Sequence, residues 1–164
     1  MTVTDASVTA DEIGRRVLKL IGNLHDARDL APERIEQETG FKVEFNPDDR
    51  NIYGFGGKLT DAWSYSLVST PEKQGEKPSS LRFSFDDTTR DHADPAPICT
   101  PGFDDYSRAL IAAGYTGKPL QGYRGVEGWY FTRDNIGVMA YTVGKVDPAA
   151  GPACLSKLII SAYA

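Results

Sequence analysis

At Phe41 the spacing of apolar residues switches from helical to alternating, and this switch restricts the possible folds more than any other feature of the chain. Ahead of it, Thr9-Ala10-Asp11-Glu12 makes a capping box: the Thr9 hydroxyl accepts from first-turn amides and Glu12 reaches back. Ile13, Val17, Leu20, Ile21 and Leu24 then recur at helical spacing, so an amphipathic helix is predicted to run to about residue 24. Pro32 sits in the first turn of a second, shorter helix, and Gly40 supplies its left-handed stop. Beyond the switch, Phe41, Val43 and Phe45 alternate with charged residues, and a turn at 46–49 leads to a strand beginning at Ile52-Tyr53. Trp63, Tyr65 and Leu67 alternate with polar or small neighbours, as do Leu81, Phe83 and Phe85 after a polar loop over 70–80. This pattern predicts an antiparallel meander with one buried face.

Residues 103–113 return to helical spacing, with Asp104 and Asp105 in the favoured first turn, Tyr106, Leu110 and Ala113 on one face, and Gly114 as the stop. A hairpin follows over 126–133 and 136–143 around Asp134-Asn135, and a last strand over 155–163. The predicted class is α+β: two N-terminal helices, a mainly antiparallel sheet and one further helix inserted between strands. A chain of 164 residues suits one domain, placed at 9–164 behind a flexible leader at 1–8.

Charge is distributed unevenly along this frame. Residues 86–105 carry Asp86, Asp87, Asp91, Asp94, Asp104 and Asp105 against a single arginine, a formal −5 that equals the net charge of the whole chain. The remainder is electrically balanced. Such a stretch is either a solvated acidic loop or a surface that meets a basic or cationic partner. Nucleic acid is not an expected partner, because no run of Lys and Arg suited to a phosphate backbone occurs. No apolar run approaches the ~20 residues of a membrane span. The N-terminus lacks the basic start and apolar core of a signal peptide, yet a polar leader of this kind also follows a removed lipoprotein leader, so it does not report the compartment.

Cys99 and Cys154 are the two cysteines. Neither they nor the scattered His25 and His92 have the spacing of a metal site. An even count fits one disulfide, whose long loop is worth about 4 kcal/mol in the chain-entropy model. The alternative is a pair of buried reduced thiols.

Catalytic signatures are missing from the sequence. Gly54-Phe55-Gly56-Gly57-Lys58 lacks the spacing and the following helix of a phosphate loop and reads as a glycine-rich turn or bulge. His25-Asp26 has no further ligands beside it, and Asp86, Asp87, Asp91, His92 and Asp94 do not follow the calcium-loop pattern. No G-x-S-x-G elbow is present, and adjacent pairs such as Asp104-Asp105 diverge on a helix. The chain is therefore read as non-catalytic and without a cofactor. Trp129-Tyr130-Phe131 places neighbouring rings on opposite faces of a strand, so unless both faces are covered one of them looks outward as a candidate contact.

Pro97-Ile98-Cys99, the helix Phe103-Asp104-Asp105-Tyr106-Ser107-Arg108-Ala109-Leu110-Ile111-Ala112-Ala113-Gly114, Gly128-Trp129-Tyr130-Phe131-Thr132-Arg133 and Cys154-Leu155-Ser156-Lys157-Leu158-Ile159-Ile160 together resemble small immunity proteins. Bacteria of the Xanthomonas and Stenotrophomonas type pair such proteins with antibacterial toxins delivered by secretion systems. The resemblance implies a periplasmic or envelope-tethered protein that binds and neutralises a cognate secreted toxin, any lipid anchor having been carried by a leader. A cytoplasmic location is the alternative. A periplasmic or secreted enzyme inhibitor, or a small-ligand-binding accessory module, is the competing functional class. Immunity proteins diverge at the toxin-facing surface, so the resemblance assigns no contact residue. Asp86, Asp87, Asp91, Asp94, Asp104 and Asp105 are nominated as partner-binding by charge, and Trp129 and Tyr130 by strand alternation.

Overall fold

Helix α1 (Ala10–Gly22) is capped by Thr9, whose Oγ1 accepts from the Glu12 amide at 3.1 Å; the Glu12 carboxylate, expected to reach back and complete a capping box, pairs instead with Arg16 at 2.7 Å. A single 3-10 turn (Ala27–Leu30) leads to α2 (Pro32–Thr39), which ends on Gly40 at φ +78°, a conformation that costs glycine little. The computed structural model describes residues 8–73, 75–89, 93–122, 125–143 and 154–162. Val8 already packs against the core, so the expected leader overlaps the folded body at its last residue; the rest of it lies outside the described residues.

The strands are β1 (Glu44–Asn46), β2 (Asp49–Lys58), β3 (Trp63–Pro71), β4 (Pro78–Asp87), β5 (Thr116–Gly122), β6 (Gly125–Arg133), β7 (Ile136–Val143) and β8 (Cys154–Ala162). Among the described residues they form one eight-stranded sheet in the order β1-β2-β3-β4-β8-β7-β6-β5, with every pairing antiparallel. The architecture is two meanders joined where β4 pairs with β8. Between them a 3-10 turn (Ala96–Ile98) and α3 (Phe103–Ala112) carry the chain from the middle of the sheet to its far edge.

Cross-strand register shows which face is buried. Leu67, Phe83, Leu158, Ala140 and Trp129 form one continuous row, and Leu81, Ile160, Val138 and Phe131 form the next. Apart from half-buried Trp129, these side chains are fully buried, in one cluster with Ile13, Val17, Leu20 and Ile21 of α1, Ile35 of α2, and Tyr106 and Leu110 of α3. The opposite row, Val68, Arg82, Ile159, Met139 and Tyr130, is half-buried or exposed. The three helices therefore cover one face, as an α+β class requires.

Three local expectations change. Phe41 and Val43 are not in a strand, and β1 begins only at Glu44. Their amides are already taken: Phe41 N donates to Thr39 Oγ1 at 3.2 Å and Val43 N to Glu36 Oε2 at 2.9 Å, so side chains of α2 replace ladder partners. The glycine run is not a turn; Gly54, Gly56 and Gly57 lie within β2, paired with β3. A Cβ at Gly54 would collide with the Leu67 carbonyl, so the two backbones approach as only glycine permits. Finally, β5 was not expected, because Gly117 and Pro119 interrupt its pattern; at the sheet edge proline removes no ladder bond that the sheet needs.

Two contacts set the helices on the sheet. From the end of β6, the Arg133 guanidinium donates to Ala113 O at 2.6 Å, Leu24 O at 2.5 Å and Gly22 O at 3.3 Å, which are carbonyls at the C-terminal ends of α1 and α3. It also stacks over Tyr115 at 4.5 Å, whose hydroxyl donates to Ile21 O at 3.0 Å. Elsewhere, α1 and α3 meet at Gly14, where an added Cβ would strike the Tyr106 hydroxyl. That hydroxyl is buried without a hydrogen-bond partner among the described residues, and burial raises its pKa.

Arg133→Met should lower unfolding free energy by about 2–3 kcal/mol, and Arg133→Lys should recover less than half of that, because one ammonium cannot span carbonyls from two helices. Urea denaturation measures both, and a fully stable lysine variant would remove the guanidinium from its structural role. Gly14→Ala should cost about 1–3 kcal/mol. Tyr106→Phe should be neutral or stabilising by about 1 kcal/mol, since the hydroxyl it deletes is unsatisfied. In the double variant most of the Gly14→Ala penalty should vanish; additive effects would show that the two residues do not meet.

Candidate functional site

Strand β4 ends at Asp87 and its antiparallel neighbour β8 begins at Cys154, so both termini lie at one end of the sheet. The Cys99–Cys154 disulfide joins that end to the segment leading into α3, with Cα atoms 4.5 Å apart. The reduced-thiol alternative is thereby removed. Trp63, in register with Asp87, adds a second tie: its indole Nε1 donates to the Asp94 carbonyl at 2.9 Å. Five of the nominated carboxylates are thus placed by strand ends and caps at the same end of the molecule as the disulfide, whereas Asp91 lies outside the described residues.

Their hydrogen bonds sort these carboxylates into two kinds. Asp87 Oδ1 accepts from the Thr89 amide at 2.9 Å and the Thr89 hydroxyl at 2.6 Å, and its Oδ2 accepts from the Ala93 amide at 2.8 Å. Asp105 reaches back to the Gly102 amide at 3.0 Å, capping α3, and pairs with Arg108. These two shape the backbone. Asp86, Asp94 and Asp104 are exposed with lighter duties: Asp86 accepts from the Ser84 hydroxyl at 3.2 Å and Asp94 from the Ala96 amide at 3.0 Å.

The structure separates the two nominated aromatics. Trp129 lies on the helix-covered face, half-buried, its ring 6.3 Å from that of Phe103, the residue that opens the acidic first turn of α3. Tyr130 lies on the open face, in register with Met139 and Lys118, whose ammonium is 5.9 Å from its ring. Cations flank the apolar residues of that face: Lys157 sits 4.6 Å over Tyr141, and Arg82 is exposed beside Ile159. Of the two rings, Trp129 alone joins the acidic end. Phe103 and Trp63 belong to the same end, and sequence spacing did not single them out because both read as ordinary core positions.

Among the described residues no group of three or more His, Cys, Asp or Glu side chains is placed to hold a metal ion, and no helix is long and apolar enough to cross a membrane. Comparison with protein-family models, curated proteins and solved structures finds no match to the chain.

Because the bridge closes a loop with a sequence separation of 55, a Cys99→Ala/Cys154→Ala variant should lose about 4 kcal/mol of stability. Thiol titration of the unfolded, unreduced protein should find no free thiol. Two titrating thiols, or a variant as stable as the parent under non-reducing conditions, would contradict the bridge.

Proposed function

We propose that this chain is a non-catalytic immunity protein that binds a cognate antibacterial toxin through the acidic end of its sheet and blocks it. The observation that carries the reading is the mounting of that end. Exposed Asp86, Asp94 and Asp104 are fixed by a strand terminus, a 3-10 turn and the first turn of a helix, around a disulfide and next to half-buried Trp129. Carboxylates grouped on a fixed backbone steer a basic partner, while an aromatic anchor at the same end holds the complex. A disulfide persists in oxidising compartments, which supports a periplasmic location. The resemblance of the second half to small immunity proteins points the same way.

Recovery of the tagged chain from its native cells at low salt should co-purify a basic protein that is toxic when expressed alone and harmless when this chain is co-expressed. Substituting Asp86, Asp94 and Asp104 together by Asn should slow association with that protein roughly tenfold at low ionic strength and flatten its salt dependence, with melting temperature preserved. Asp87 and Asp105 are left intact in this test because their loss would disturb the backbone. Failure to recover any toxic partner would overturn the immunity reading, and an unchanged association rate would overturn the role of the acidic end.

A further inference from the structure

At the opposite end of the sheet, where β2 and β4 begin, the 3-10 turn and the start of α2 leave a cleft of about 390 Å3, within the size range of small-molecule sites. Tyr53, Pro32 and Pro78 contribute its apolar lining, and the charged side chains that line it are Arg28, Arg50 and Lys77. Among the described residues no carboxylate lines it. Both arginines make contacts within the protein. Arg50 stacks on Phe45 with its guanidinium carbon 4.3 Å from the ring centre. Asn51 Nδ2 donates to Gly75 O at 3.1 Å, tying the loop that carries Lys77 to β2. Arg28 is paired with Asp26 at 2.7 Å and so is already offset in charge. Arg50 and Lys77 have no ion-pair partner among the described residues.

We infer that this cleft binds a small phosphate monoester with an apolar body, its dianion met by Arg50 and Lys77 and its body laid against Tyr53 and the two prolines. Two uncompensated positive charges match a group of about −2 at neutral pH. A guanidinium fork and a mobile ammonium are the usual pair for its oxygens. The Tyr53 hydroxyl donates to the Leu30 carbonyl at 2.6 Å, and burial pushes its pKa up to about 12. Its proton is therefore committed to the fold, so the tyrosine, a core residue, offers the ligand only the small part of its apolar surface that reaches the cleft and no donor. Glu33, the carboxylate that Tyr53 senses, does not line the cleft. The site is far from the acidic end and does not depend on the toxin-binding reading.

Phenyl phosphate, titrated into the full chain at low salt and followed by calorimetry and amide chemical shifts, is the probe. Saturable binding should be weakened roughly fivefold by Arg50→Gln or Lys77→Gln and more than tenfold by both, with unchanged melting temperature. Asp26→Asn, which releases Arg28, should tighten it. Inorganic phosphate and benzyl alcohol, each lacking one half of the ligand, should bind more weakly than phenyl phosphate. The proposal fails if the folded protein shows no saturable binding up to about 10 mM, or if the double variant binds as the parent does. Inorganic phosphate binding as tightly as phenyl phosphate would reduce the cleft to a patch of charge and overturn the assigned ligand class.

Discussion

One guanidinium ties the ends of two helices to the sheet on which the apolar core has laid them. A helix ends with carbonyls that have no partner of their own, and its C-terminus carries partial negative charge. Arg133 answers both needs for α1 and α3 together, from the last residue of β6, and Tyr115 beneath it fixes the end of α1 a second time. A positive side chain reaching carbonyls from two helices makes their relative placement a property of the sheet. The close α1–α3 contact at Gly14, with its unsatisfied Tyr106 hydroxyl, follows from that placement. So does the position of Phe103 and the acidic first turn of α3 beside Trp129.

Antiparallel order then sorts the connections to the two ends of the sheet. The end of β4 and the start of β8 share one end, and there the disulfide binds the segment before α3 to the seam between the meanders. The starts of β2 and β4 share the other end, beneath the first 3-10 turn. Acidic side chains clustered in sequence fall at the first end, while cations widely separated in sequence converge at the second. The open face between them is neither: apolar side chains alternate there with Arg82, Lys118 and Lys157, some of which lie over aromatic rings.

This arrangement gives the aromatic residues different meanings. Adjacent positions on one strand belong to opposite faces, so Trp129 and Tyr130 present themselves to different surfaces. The toxin-binding proposal therefore rests on Trp129 with the carboxylates near it. Tyr130 belongs to a surface of opposite charge character.

The α+β class, the first helix with its cap, the second helix with its glycine stop and the main strands were legible in the sequence, because apolar period and capping chemistry act over a few residues. The segment after Gly40 was not, since its amides bond to α2 side chains in place of a neighbouring strand. Nor was β5, whose glycine and proline are tolerated only because it became an edge. The acidic stretch could be read as charge, yet which carboxylates shape the backbone and which face outward depends on amides brought near them by folding. Local spacing determined the elements and where the negative charge is concentrated. Pairing of β4 with β8, the grip of Arg133 on two helices, and the meeting of Arg28, Arg50 and Lys77 over Tyr53 were decided only in three dimensions, because each joins residues that no sequence period connects.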